Sequence, residues 1–271
     1  MVNDILREAA QMLAASSTPL LDARVLLAYA MGYERAELIF RPATESEKAV
    51  FFNYVKKRRE GVPIAYITHS KEFMGHSFYV DENTLIPRPD TECLVERVIS
   101  EKSQAVSILD LCTGCGCIGI SLALSYPSSE AVLIDISDGA LSAADKNIKK
   151  YSLESRVRTV RQDVLSEKAE GRYDIITANP PYIPTACLLE LEVSKHEPLS
   201  ALDGGEDGLM FYRAIMNNAK LSLNEGGILV FEIGYDQRRQ IKEIAESFSF
   251  RADIYKDYGG NDRVAVCKYM G

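Results

Sequence analysis

The chain has no long hydrophobic run. Its most apolar stretches are short and broken by charges, which excludes a membrane-spanning helix of about 20 apolar residues. Its N-terminus, Met-Val-Asn-Asp-Ile-Leu-Arg-Glu, carries acids and no signal-peptide core, so a cytoplasmic protein is expected. Six cysteines, at 93, 112, 115, 117, 187 and 267, form no paired spacing of a secreted framework and read as reduced thiols. Cys112, Cys115 and Cys117 stand close together, but no second Cys or His cluster accompanies them. With His69, His76 and His196 also scattered, no metal is expected. A Gly-x-x-x-x-Gly-Lys-Ser/Thr phosphate loop is missing, which argues against an NTPase, and there are no repeats or low-complexity tracts. Positive charge is scarce in the larger part of the chain: residues 1–80 hold 10 basic and 9 acidic residues, and residues 81–271 hold 21 and 30. A region that acidic is a poor general binder of nucleic acid, whose affinity rests on Lys and Arg contacts to phosphate.

What is present begins with a strand, a tight turn and a helix. Ala105 to Leu111 reads as a short buried parallel strand, and Ile118 to Tyr126 as the start of a helix. Between them lies the turn Asp110-Leu-Cys-Thr-Gly114-Cys-Gly116. Such a turn lets a ligand approach the backbone closely, and the helix N-terminus offers unpaired N–H groups. A second strand, Ala131 to Ile134, ends in Asp135, about 20 residues after Gly116, where an acidic residue meets ribose hydroxyls. The ligand is therefore read as a nucleoside. Asp-x-x-x-Gly-x-Gly resembles the first motif of the S-adenosylmethionine-dependent methyltransferases. That resemblance implies that the turn from Cys112 through Thr113, Gly114 and Cys115 to Gly116 receives the amino-acid part of the cofactor. It also implies that Asp135 holds the ribose and that Asp163 and Val164, after a third strand, lie beside the adenine.

Downstream, the apolar run Tyr173 to Ala178 ends in Asn179-Pro180-Pro181-Tyr182. Two successive prolines fix φ and carry no N–H, so the loop is stiff and its carbonyls are free acceptors. With the Asn179 side-chain carbonyl they can accept both hydrogens of an NH2 group, and Tyr182 can offer a flat wall for stacking. Together with the glycine turn, this suggests a methyltransferase acting on a planar nitrogen.

From Ile5 to Glu60 the apolar residues recur at helical spacing, broken at Thr18-Pro19, Gly32 and Arg41-Pro42, which predicts about four helices. Lys56 to Arg59 reads as a solvated basic face at a helix end. Ile64 to Val80 reads as a β-hairpin with its turn at Gly75, and Thr91 or Asp90 as the cap of a helix over 93–101. Strands are then expected near 106–111, 131–135, 157–161, 173–178, 227–233, 250–255 and 263–268. Helices are expected near 91–101, 117–126, 138–151, 207–223 and 236–247, giving a parallel sheet covered on both faces. The expected division is a bundle at 1–62, a β-hairpin linker at 63–84 and a catalytic domain at 85–271.

The motifs Gly61-Val-Pro-Ile-Ala-Tyr-Ile-Thr, Lys71-Glu-Phe-Met-Gly75, Leu85-Ile-Pro-Arg-Pro-Asp-Thr-Glu92, Asn179-Pro-Pro-Tyr182, His196-Glu-Pro-Leu199, Leu202-Asp-Gly-Gly205 and Tyr258-Gly-Gly-Asn-Asp-Arg263 resemble the peptide chain release factor glutamine-N5 methyltransferase (HemK) family from end to end. The resemblance implies a Rossmann-like α/β methyltransferase with a seven-stranded sheet, a small N-terminal bundle that docks substrate, and S-adenosylmethionine as cofactor. The implied substrate is the glutamine of the Gly-Gly-Gln loop of class I release factors. It also implies Asn179, Pro180 and Tyr182 as the catalytic set, with Pro181, Arg88 and Glu197 joining them in substrate contact. Direct in-line transfer then needs no strong base before attack. A ribosomal-protein glutamine and an adenine N6 amine are the alternative acceptors, and a nucleoside-binding protein without catalysis is the non-enzymatic alternative. Two positions depart from the family: His69 stands where glycine is common, which is expected to alter the hairpin turn, and Val164 where an aromatic often lies beside adenine.

Overall fold

A computed structural model describes residues 2–39, 41–191 and 195–271; Met1 and Phe40 of the expected bundle fall outside them. The chain divides into two compact units at Ser70/Lys71.

The first unit contains α1 (Val2–Met12), α2 (Pro19–Met31), a 3-10 turn at Arg35–Ile39, α3 (Glu45–Arg59) and the short α4 (Ile64–Thr68). Its core joins Leu6, Ala9 and Leu13 to Leu26, Leu27, Phe51 and Val55. Thr44 and Glu47 form a reciprocal capping box that satisfies two orphan N–H groups at the start of α3. The basic run at the end of α3 is not wholly a solvated face. Arg58 turns inward, its Nε 2.8 Å from Asp22 Oδ2, and the buried Asp22 also accepts from the Ser16 and Thr18 hydroxyls. Ile64–Thr68 is helical rather than the first half of a hairpin. His69 is its left-handed C-cap at φ 50, a conformation in which glycine is the least strained residue. The departure at His69 therefore bears on a helix end, not on the hairpin turn.

The second unit opens with the hairpin β1 (Lys71–Phe73) and β2 (His76–Phe78), turning through Met74 and Gly75 at positive φ. Then α5 (Pro89–Glu101) starts two residues before its expected cap. Arg88 is the N-cap and Pro89 takes the first turn, where its missing N–H costs nothing, so the Thr91 side chain is not the cap. Alternation follows: β3 (Ser107–Leu111), α6 (Cys117–Ser125), β4 (Glu130–Asp135), α7 (Asp138–Lys150), β5 (Val157–Arg161), β6 (Tyr173–Ala178), α8 (Met210–Ser222), β7 (Leu223–Glu232), α9 (Arg238–Ser247), β8 (Phe250–Lys256) and β9 (Asp262–Tyr269).

The sheet order is β5-β4-β3-β6-β7-β9-β8, parallel except for β9, which runs antiparallel to both neighbours. Both faces are covered, so the central strands are apolar throughout: Ile108, Leu109, Ile175, Ile176, Leu229, Val230 and Phe231 are all buried. The strand order reverses around β3, and a crevice opens there at the carboxyl ends of the strands.

Candidate active site

The glycine turn shapes one wall of the crevice. After β3 the chain passes through positive φ at Cys112, Gly114 and Gly116 before α6 begins. At Gly116 the left-handed φ of 82 favours glycine, and a Cβ there would lie 2.9 Å from Ile120 Cδ1 and 3.1 Å from Leu133 Cδ2, so those side chains would have to shift. Beneath it Asp110 is fully buried and accepts from the Thr113 hydroxyl, the Gly119 N–H (3.1 Å) and the Thr177 hydroxyl (2.7 Å). Burial pushes its carboxyl up to about 6 despite those three bonds. Asp135, at the end of β4, accepts from Gly114 N–H at 2.9 Å and Ser137 N–H at 3.0 Å, and burial raises its pKa as well. Each of its oxygens keeps a lone pair for a hydroxyl donor.

A cavity of ≈ 340 Å³ lies over these strand ends. Cys112, Thr113, Gly114, Asp135, Asp163, Val164, Asn179 and Pro181 all line it. Chain positions spread over 70 residues thus meet around one volume. The thiols of Cys112 and Cys117 face it in protonated form. Burial pushes Cys112 up, and hydrogen bonding with Cys115 followed by burial does the same for Cys117. Among the described residues, no group of three or more His, Cys, Asp or Glu is placed to hold a metal ion.

Other expected site residues stand behind the wall. Cys115 and Gly116 do not line the cavity; the Cys115 carbonyl accepts from Asn147 Nδ2 of α7 at 2.8 Å, which anchors the turn from below. Pro180 is buried and also absent from the lining. Tyr182 corrects the stacking expectation. Its ring packs against the core and its hydroxyl lies 3.3 Å from Glu232 Oε1, so it presents no wall to the cavity. Burial, reinforced by Glu232, raises its phenol pKa and keeps it protonated. Arg88 and Glu197 pair with each other and do not line the cavity. Glu197 is buried and also accepts the Ile86 N–H at 3.0 Å, tying the Leu85-Ile-Pro-Arg segment to the loop before Leu199.

Several residues that hold the site were legible only as members of motifs, and Gln237 and Glu232 carried no sequence signal. Thr91 lines the cavity, and its Oγ1 lies 3.5 Å from Asn179 Nδ2. Gln237 of the β7–α9 connection donates Nε2 to the carbonyls of Tyr182 (3.1 Å) and Gly208 (3.2 Å). Ile183 exchanges hydrogen bonds with Leu202 and Gly204, so the Leu202-Asp-Gly-Gly205 segment lies directly on the proline loop. The turn 258–261 returns Arg263 to the back of Tyr182. Its Nε lies 3.2 Å from Asp257 Oδ2, and its Nη1 lies 3.2 Å from the Ile233 carbonyl and 3.5 Å from the Tyr182 hydroxyl. That places a buried cation near Glu232, whose carboxyl burial raises while Thr91, Arg263 and Tyr182 hold it down.

The sheet order, with a cavity at its switch point, is that of the methyltransferases this chain matches. Residues 89–187 match the family described as Methyltransferase small domain. The fold is also that of a methyltransferase from Pyrococcus furiosus, with TM-score 0.55, 17% identity and coverage of 81% of this chain and 98% of that one. Residues 4–68 match the family described as PrmC N-terminal domain. Over its length the chain is 39% identical to the release factor glutamine methyltransferase of Clostridium botulinum, covering 90% of each chain. It is 41% identical to that of Agrobacterium fabrum, covering 93% of this chain and 91% of the relative. The chain belongs to the release factor glutamine methyltransferase family.

Proposed function

We propose that this protein transfers a methyl group from S-adenosylmethionine to the side-chain amide nitrogen of the glutamine in the Gly-Gly-Gln loop of class I release factors. The observation that carries the reading is the meeting of a stiff acceptor loop, Asn179 and Pro181, with the glycine turn and Asp135 around one cavity. The residues fit the cofactor chemically. Backbone of Cys112 to Gly114 can take the amino-acid end, Asp135 the ribose hydroxyls, and Asp163 with the apolar Val164, Ile136 and Leu165 the base. When bound, S-adenosylmethionine supplies an electrophilic methyl on a sulfonium.

The chain's own contribution is acceptance and orientation. An amide nitrogen is a poor nucleophile because its lone pair is delocalised into the carbonyl. Accepting both its hydrogens, at Asn179 Oδ1 and a backbone carbonyl of the Asn179-Pro180-Pro181 loop, favours pyramidalisation and points the lone pair at the methyl, so positioning and electrostatics supply most of the acceleration. Nδ2 of Asn179 is directed at Thr91, which leaves Oδ1 as the free acceptor. No general base is needed before attack, since the methylated nitrogen becomes acidic enough to release its proton afterwards. Tyr182, the Arg88–Glu197 pair and Gln237 act by holding the loop in place. The N-terminal unit docks the release factor, the β1–β2 hairpin opens the catalytic unit, and the reaction takes place in the cytoplasm. No helix among the described residues is long and apolar enough to cross a membrane.

The test is transfer of labelled methyl to purified release factor, beside a Gln→Ala change in its Gly-Gly-Gln loop, a ribosomal-protein fraction and nucleic acid. Label lost with the Gln→Ala change supports the reading; label only in the ribosomal fraction or nucleic acid overturns the substrate. Asn179→Ala should lower turnover at least about a hundredfold with cofactor affinity nearly unchanged, the size seen when one preorganised polar partner is removed. Turnover within a few-fold of wild type removes Asn179 from its role.

A further inference from the structure

Glu232 is a buried carboxylate that the mechanism above does not use. It ends β7, beside β6, and the two strands pair with Ala178 opposite Phe231. The next residues along, Asn179 and Glu232, therefore leave adjacent strand ends together. Oε1 of Glu232 meets the Tyr182 hydroxyl at 3.3 Å, whereas Oε2 makes no well-formed hydrogen bond among the described residues. The Thr91 hydroxyl stands near enough to Glu232 to favour its charged form. On its other side the same oxygen lies 3.5 Å from Asn179 Nδ2. Both Thr91 and Glu232 are almost wholly buried, at 2% and 3% exposure, so water does not compete for these groups.

An Asn side chain can present either end of its amide, and only one end suits an NH2 substrate. A hydroxyl beside it can donate or accept, so by itself Thr91 does not choose. A carboxylate can only accept. We propose that Glu232 is a positioning residue that draws the Thr91 hydroxyl hydrogen toward its unpaired Oε2, leaving Thr91 Oγ1 to accept from Asn179 Nδ2 and presenting Asn179 Oδ1 to the acceptor nitrogen. The inference rests on the role given to Asn179 above. Burial pushes the Glu232 carboxyl up, and Arg263, held by Asp257, places a positive charge nearby that opposes that push. The site thus excludes acceptors that offer a hydrogen-bond acceptor where the NH2 should sit, and selects an amide nitrogen over the isosteric carboxylate of glutamate.

The test compares wild type with Glu232→Gln, Thr91→Val and Thr91→Ser. A glutamine at 232 can donate to Thr91, reverse its hydroxyl and release the Asn179 amide. E232Q and T91V should each lower kcat at least about tenfold, with cofactor Kd by calorimetry within about threefold, and the double variant should be no worse than the poorer single one. T91S, which keeps the hydroxyl, should restore kcat to within about threefold of wild type. The Asn179 side-chain amide resonances, assigned by their absence in N179A, should be protected from exchange in wild type and T91S and lose protection in E232Q and T91V. Losses that multiply in the double variant, or E232Q turnover within about threefold of wild type, overturn the proposal. Should E232Q not fold, T91V equal to T91S overturns it and T91V alone impaired supports it. If wild-type protein methylates no release factor, the substrate reading fails, and the amide resonances decide the positioning without it: protection unchanged across the variants overturns it.

Discussion

Gly208→Ala tests how the proline loop is held. Gly208 has φ +73, and a Cβ there would lie 2.4 Å from the Tyr182 carbonyl oxygen and 3.1 Å from Gln237 Nε2. The left-handed backbone costs an L-residue about 1–2 kcal/mol. The contact with Tyr182 is backbone against side chain and cannot be relieved by a rotamer, so the segments must part. Parting them weakens the two bonds from Gln237 Nε2 to the Tyr182 and Gly208 carbonyls, at about 1 kcal/mol each. The sum is about 3–4 kcal/mol. Gly226→Ala is the matched control, since it has φ +69 but nothing within 4 Å of the added Cβ, leaving only the backbone cost of about 1–2 kcal/mol. Urea unfolding should place G208A about 2 kcal/mol below G226A. Methyl transfer should fall sharply in G208A and stay near wild type in G226A. Equal stability of the two variants, with normal transfer in both, would refute the claim that close approach at Gly208 sets the loop.

Asp110 makes stability depend on pH. Its native pKa is raised from 3.8 to about 6, so the native state binds this proton more tightly than the unfolded chain does. Its stabilising share is complete below about pH 4 and is lost as pH rises through about 6, a change of about 3 kcal/mol. Unfolding free energies of wild type and D110N measured from pH 4 to 7 should therefore shift in the variant's favour by about that amount, and a constant difference contradicts the assignment. Arg263→Ala strips the cation from Asp257, whose side chain is 1% exposed, and should cost about 3 kcal/mol in urea unfolding along with most turnover. A loss under about 1 kcal/mol would show that the other donors to Asp257 suffice. In the first unit, Asp22→Ala orphans Arg58, Ser16 and Thr18 and should weaken that unit by about 2–3 kcal/mol. Hydrogen exchange of α2 and α3 amides in the full chain reads this, and unchanged protection refutes it.

Local periodicity and punctuation determined most of the elements in advance. Alternating apolar strands and amphipathic helices from Ser107 onward needed no tertiary information, because burial on both sheet faces imposes that pattern on each strand separately. The same holds for the glycine turn, whose positive φ values only glycine takes cheaply, and for Asp135 and Asn179 as strand-end residues. Misreadings fell where neighbours outweigh local preference. Ile64–Thr68 has the alternation of a strand but is a helix with a left-handed end at His69. Thr91 looked like a cap, yet Pro89 starts the helix earlier and turns the hydroxyl to the cavity. Arg58 looked solvated until Asp22, 36 residues away, claimed it. Tyr182, Arg88 and Glu197 were legible as members of the site region, but not their contacts with Glu232 and with each other. Which way a side chain points depends on partners such as Glu232 and Arg263, which reach the proline loop only when β7 and β9 join the sheet. Residue type and spacing determine which groups stand at the strand ends; the long-range pairing of strands and the burial of charge decide which of those groups face the ligand and which hold the others in place.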